Sequence, residues 1–253
     1  MSTPHHNASR GLPSLHGPIT IDGPAGVGKS TAARLLAKRL KLLYLDTGAT
    51  YRALAYAALE QGIGTHEISR LVRLARTLVL VLEPAPSGAL VVVTLNGRTV
   101  TRLIRTERVT EAAAAIAQHP SVRTVMVHLQ RRLAGQRRCV AEGRDTGSVV
   151  FPRAAYKFFL TASPAVRAQR RQAELRGTGL PVPSLRGLSQ QLRQRDRLDR
   201  SRRVGPLIKP RGAVTINTSS LSAEQVVERM LAALRRPRSD KNSSCVSGEN
   251  SLE

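Results

Sequence analysis

Apolar positions along this chain follow two periods. Short aliphatic runs at 19–21, 42–45, 139–141, 156–160 and 214–217 have the length and content of buried strands. Between them, apolar residues recur every three or four positions, as on one face of a helix. Ala33, Leu35, Leu36 and Leu40 share such a face over residues 30–40. Val122, Val125, Met126, Leu129 and Leu133 share another, with Ser121 as the expected N-cap and Gly135 as the stop. Ser163-Pro164 opens a helix that runs to Gly177, and the capping box Ser222-Ala223-Glu224-Gln225 opens the last one. Further helices are expected at 50–61, 68–78, 111–118 and 189–203. Strands alternating with helices predict an α/β fold of three layers, a parallel central sheet with helices on both faces.

Residues 64–110 break that alternation. Runs at 79–83 and 90–95, then the Asn96-Gly97 turn into Arg98-Thr99-Val100, read as a small antiparallel insertion. Residues 178–187 are rich in Gly and Pro and are expected to be mobile. Residues 1–17 and 237–253 are polar and aperiodic, as in disordered tails. The His5-His6 pair has no further ligand candidates near it.

Composition narrows the class. With 253 residues, 41% of them hydrophobic, one sizeable α/β domain can form. The net charge of +23 favours polyanionic partners, nucleic acid or nucleotide phosphates. Aromatics are only 3%, with no Trp, which argues against a stacking platform for single strands. Cys139 and Cys245 lie far apart, without ligand spacing, so neither a zinc site nor a disulfide framework is expected. No apolar run suits a signal peptide or a membrane span, and a soluble cytoplasmic protein is the expectation.

The sharpest chemical signal is Gly23-Pro24-Ala25-Gly26-Val27-Gly28-Lys29-Ser30, which fits the phosphate-loop pattern GxxxxGK[ST]. It stands between a strand and a helix, as such a loop must. Its glycines let the backbone N–H groups turn inward, and the helix N-terminus adds positive charge. Lys29 would reach the β- and γ-phosphates of a triphosphate, and the Ser30 hydroxyl would hold Mg²⁺.

Other polar clusters leave the carboxyl ends of strands, the edge where ligands collect in parallel sheets. One is Asp46-Thr47-Gly48-Ala49-Thr50-Tyr51-Arg52; another is Glu142-Gly143-Arg144-Asp145. Residues 161–203 carry eleven Arg against three acids, a net of +8, with no long apolar stripe. They read as a basic flap over an anion. Within the flap, Arg167, Arg170 and Arg171 share one helical face, and Arg195, Asp199 and Arg202 another. The second set is either a surface ion-pair ladder or a grip on a phosphate or polar base. No Asn-Lys-x-Asp guanine motif is present, which disfavours a GTPase switch.

Four motifs together, ITIDGPAGVGKST, LDTGATYRALA, EGRDTGSVVFP and RQRDRLDRSR, resemble the bacterial cytidylate kinases of the nucleoside monophosphate kinase superfamily. The resemblance spans residues 19–234 and implies transfer of a phosphoryl group from ATP, with Mg²⁺, to CMP or dCMP. It implies a core of 18–46, 111–160 and 204–236, a monophosphate-binding insertion at 47–110 and a lid at 161–203. By the same likeness, Gly23, Pro24, Ala25, Gly26, Val27, Gly28, Lys29, Ser30 and Thr31 would hold ATP. Thr47, Tyr51, Arg52, Arg123, Arg144, Asp145, Arg195, Asp199 and Arg202 would hold the acceptor. Lys29, Arg144 and Arg170 would act on the transferring group. Ala114 stands where the family often has a Ser that meets the cytosine, which bears on strictness against UMP. The expected form is a monomer without a membrane or specific nucleic-acid partner. A kinase for another small acceptor, or a nucleotide-regulated nucleic-acid binder, is the alternative.

Overall fold

A computed structural model describes residues 17–84, 91–176 and 182–235. Residues 1–16, with His5 and His6, residues 85–90, residues 177–181 of the Gly/Pro-rich stretch and residues 236–253, with Cys245, fall outside the described residues. The elements in order are β1 (Ile19–Asp22), α1 (Lys29–Leu40), β2 (Leu43–Asp46), α2 (Thr47–Glu60), α3 (Ile68–Thr77) and β3 (Leu80–Pro84). Then come β4 (Val91–Leu95), β5 (Arg98–Thr99), α4 (Glu107–Ile116), α5 (Pro120–Ala134), β6 (Cys139–Gly143) and β7 (Tyr156–Thr161). The chain continues with α6 (Pro164–Arg176), α7 (Leu185–Arg200), β8 (Val214–Asn217) and α8 (Ala223–Arg235).

Five strands form a parallel sheet in the order β2-β6-β1-β7-β8. The parallel α/β fold expected from the alternation is therefore present. Every residue of β1 is buried, as a central strand covered on both faces requires. Parallel register places Asp22 beside Gly143, and Asp46 beside Glu142, so the polar strand ends meet at one edge. The inserted strands form a second, antiparallel sheet, β3-β4-β5, turned at Asn96-Gly97. One continuous apolar cluster joins Val93 of that sheet to Ile21, Phe158 and Leu234 around the main sheet.

Several helix boundaries differ from the expectation, each for a capping reason. α2 starts at Thr47 because the Asp46 carboxylate accepts from the Ala49 N–H at 2.8 Å. α4 starts at Glu107, where the Thr106 side chain accepts from Val109 N–H. α5 starts at Pro120 rather than after Ser121, since proline needs no N–H partner in a first turn. α7 starts at Leu185, capped by Ser184, inside the stretch read as mobile. A π-helical turn at Thr146–Val150, unannounced by any periodicity, follows β6.

Candidate active site

The phosphate loop is shaped by contacts that exclude side chains. A Cβ at Gly23 would stand 2.3 Å from the Leu160 carbonyl oxygen, so β7 approaches as closely as only glycine allows. Gly28 has a φ of 87° and delivers the chain into α1. In the turn so formed, the Lys29 ammonium donates to the Pro24 carbonyl at 2.8 Å. Burial, and then the nearby Arg144, push the Lys29 pKa down to about 7. The Ser30 hydroxyl donates to the Glu142 carboxylate at 2.6 Å, and the Tyr44 hydroxyl donates to the same oxygen at 3.0 Å.

The loop opens onto a cavity of about 700 Å³. Eight arginines and Lys29 line it against five carboxylates, so its preference is for anions. Ala25, Gly26, Lys29, Ser30 and Thr31 reach this wall, while Gly23, Pro24, Val27 and Gly28 shape the turn behind it.

The opposite wall comes from the other strand ends. Thr47 donates to the Glu142 carbonyl at 2.7 Å, locking α2 to β6. Arg52 pairs with Asp46 at 2.9 Å. Arg123, only 2% exposed, pairs with Asp145 and lies over the Tyr51 ring at 5.5 Å. The Tyr51 hydroxyl is buried without a hydrogen-bond partner among the described residues, and burial raises its pKa to about 12.

Asp199 is 3% exposed and sits between Arg144, at 2.7 Å, and Arg202. Burial alone would raise its carboxyl, but the two guanidinium groups outweigh that and hold it below its ordinary value. Asp199 is thus not part of a solvated surface ladder. Arg195 lines the cavity with no ion pair among the described residues, and burial, then Arg144, lower its pKa to about 10.

Arg170 is placed elsewhere. Its guanidinium donates to the Thr218 hydroxyl at 2.9 Å and the Thr218 carbonyl at 2.6 Å, and Thr218 in turn donates to Val27. It braces the back of the loop, whereas its neighbour Arg171 lines the cavity.

Sequence reasoning passed over several residues. Asp22 accepts from Thr146 N–H, the Thr146 hydroxyl and Gly147 N–H, each at 2.8 Å. Glu142 was signalled by its place at a strand end and Arg171 by its helical face, though neither was given a role, and Arg105 only by charge. The apolar contact of the flap was missed too: Leu188 and Leu192 close on Ala25 and Ala168.

No helix among the described residues is long and apolar enough to cross a membrane. Nor do they contain a cluster of three or more His, Cys, Asp or Glu suited to a metal.

The cytidylate kinase family profile matches residues 19–236. A cytidylate kinase from Geobacillus sp. (strain WCH70) is 46% identical over 213 residues, covering 84% of this chain and 94% of the relative. One from Geobacillus kaustophilus (strain HTA426) is 47% identical with the same coverage. A bifunctional pantoate ligase/cytidylate kinase from Prochlorococcus marinus (strain MIT 9313) is 43% identical over 86% of this chain and 43% of that longer protein. A phosphate loop facing a cluster of buried arginine–carboxylate pairs, in a chain matched along its described length, places this protein in the cytidylate kinase family.

Proposed function

We propose that this chain transfers the γ-phosphoryl group of ATP to CMP or dCMP, giving ADP and CDP or dCDP, as a cytoplasmic monomer. One observation carries the reading. The phosphate loop, through Lys29, and the pairs Arg123–Asp145 and Arg144–Asp199–Arg202 face the same cavity. A donor and an acceptor phosphate can meet there, and the family name identifies the acceptor's base.

The acceptor phosphate is already ionised at neutral pH, so no general base is needed. The residues align the two phosphates and neutralise charge. Lys29 and the loop N–H groups hold the donor. Arg144 and Arg202 are held by Asp199 facing the acceptor side, and Arg123, Asp145 and Tyr51 form the floor beneath it, with Thr47 and Arg52 on its flank. Arg195 and Arg171 are better placed than Arg170 to meet the transferring group. Residues 161–203 act as the lid over the exchange, and residues 47–110 supply the acceptor's binding insertion.

The oxygen donors of Ser30 and Glu142, 2.6 Å apart, fit Mg²⁺, which takes few protein ligands and fills its shell with water and phosphate oxygens. When bound, that ion neutralises charge on the phosphates.

One feature favours a second acceptor. The α4 wall of the cavity presents Thr110, Ala113 and Ala114, with Ala117 just past the helix, so position 114 itself carries no side-chain hydrogen-bonding group. UMP would meet less discrimination there. The test is ADP formation with a panel of monophosphates. CMP or dCMP should give the highest kcat/KM, and no acceptor dependence would overturn the reading in favour of a nucleic-acid binder with salt-dependent affinity.

A further inference from the structure

Two peptide units of the phosphate loop are held by residues that neither the loop motif nor the cavity wall accounts for. Arg167, on α6, donates from Nε to the Ala25 carbonyl at 2.6 Å. Asp196, on α7, accepts from the Ala25 N–H at 3.3 Å. The two side chains also pair with each other at 2.6 Å. Arg167 is 7% exposed and Asp196 6%. Around them Ala25, Ala168, Leu188 and Leu192 form an apolar cluster separate from the main core. A Cβ at Gly26 would stand 3.1 Å from the Arg167 carbonyl oxygen, so α6 lies directly on the loop.

An ion pair this deep is not needed to hold two helices together, since packed apolar residues commonly do so as well. What apolar residues lack is direction. Asp196 takes the N–H on one side of Ala25, and Arg167 takes the carbonyl on the other. The orientation of both peptide units is thereby set within a loop whose N–H groups form an anion cradle. The same α7 carries Arg195, which lines the cavity, and Asp199, which holds Arg144. One helix therefore touches the donor loop, the cavity and the acceptor side.

We propose that Arg167 and Asp196 are positioning residues that lock α6 and α7 to the phosphate loop, so that Arg195 is set over the transfer site and water is kept out of it. The proposal rests on the phosphoryl-transfer reading. With the lock loosened, the loop and the acceptor residues remain, but water reaches the γ-phosphorus. Its oxygen then bonds to that phosphorus as the bond to the ADP oxygen breaks, and the products are ADP and inorganic phosphate.

The experiment compares the full-length protein with Asp196→Asn, Arg167→Lys and the double variant Arg167→Met/Asp196→Leu. The double variant removes both charges and extends the Leu188–Leu192 cluster, so it should fold even where Asp196→Asn strands a buried guanidinium. Arg167→Lys keeps the charge paired but loses the planar fork that serves Ala25 and Asp196 together. CDP formation is measured with saturating CMP, and ATP hydrolysis without an acceptor, alongside thermal melting. CDP formation by the unaltered protein establishes the underlying reading; its absence there overturns that reading before the lock is tested. Given CDP formation, the variants should lose about tenfold or more in kcat for transfer, and hydrolysis per transfer should rise about tenfold, with KM for CMP little changed. A parallel fall in both activities that tracks the melting temperature, or an unchanged ratio in the double variant, would overturn the proposal.

Discussion

Arg144 donates to the Asp199 carboxylate at 2.7 Å, so the loop after β6 and the helix α7 meet across the cavity. This pair is long-range in sequence, with Asp199 buried and Arg144 partly so. Removing its acid leaves two guanidinium groups without their partner, a change that typically costs about 3–5 kcal/mol when the pair is buried. Asp199→Ala should lower the melting temperature and cut kcat/KM for CMP about a hundredfold, while ATP affinity changes less than about threefold. Equal losses for the two nucleotides, in steady-state kinetics and calorimetry, would mean a merely structural tie.

Lys29 should make ATP binding sensitive to pH. Its pKa in the free protein is about 7, against an ordinary value of 10.5. A lowered pKa in a base means that the fold disfavours the charged form. Its contribution to stability is therefore fully present above pH 10.5 and is lost as the pH falls to about 7. A bound triphosphate reverses the preference and holds the ammonium. Above pH 7, binding should take up a proton, and affinity should fall by up to about tenfold per pH unit. Calorimetry in buffers of different ionisation heat measures that uptake. Lys29→Ala should abolish transfer while leaving the circular dichroism spectrum intact; near-normal turnover would sink the phosphate-loop assignment.

Asp22 holds the turn that presents Arg144 and Asp145. Asp22→Ala leaves three buried donors without an acceptor, at about 1–3 kcal/mol each, so the melting temperature should drop by many degrees. Burial raises its pKa to about 6 from 3.8. For an acid the sign is that the protonated form is favoured by folding. The contribution to stability is present below pH 3.8 and lost as the pH rises through about 6. Melting curves of the wild type and Asp22→Asn across that window should therefore diverge with rising pH, the wild type losing ground.

The proposed Mg²⁺ site at Ser30 and Glu142, whose oxygens lie 2.6 Å apart, is open to test. Chelation of Mg²⁺ should stop transfer, and added Mg²⁺ should restore it. Glu142→Gln should raise the Mg²⁺ concentration for half-maximal activity about tenfold, with the ADP–Mn²⁺ complex bound correspondingly more weakly by paramagnetic resonance. An unchanged metal dependence would place the ion elsewhere.

Arg170 and Arg171 are neighbours with different surroundings. Arg171→Ala, at the cavity, should lower kcat for transfer more than Arg170→Ala, whose loss should instead show as a lower melting temperature. The reverse order, in the same assays, would return Arg170 to the transferring group.

How much of this was legible beforehand follows from the range over which each signal acts. The loop at 23–30 is local: glycines, lysine and helix start lie within one turn of each other, and the structure folds them as their chemistry demands. The alternation of strand and helix is local as well, and it determined the parallel sheet and the strand-end edge where Thr47 and Arg144 stand. Helix faces too were readable, since a spacing of three or four puts Arg195, Asp199 and Arg202 on one side. What covers that side was not readable, because the partner, Arg144, is 55 residues from Asp199. Charged spacing alone describes a solvated ladder and a buried grip equally well. Only tertiary packing desolvates Asp199, pairs Asp196 with Arg167 on the back of the phosphate loop, and turns Arg170 toward Thr218 while leaving Arg171 at the cavity. The sequence by itself determined the loop that binds a triphosphate. The tertiary structure decided which arginines face it, because desolvation and pairing depend on what the fold brings alongside each side chain.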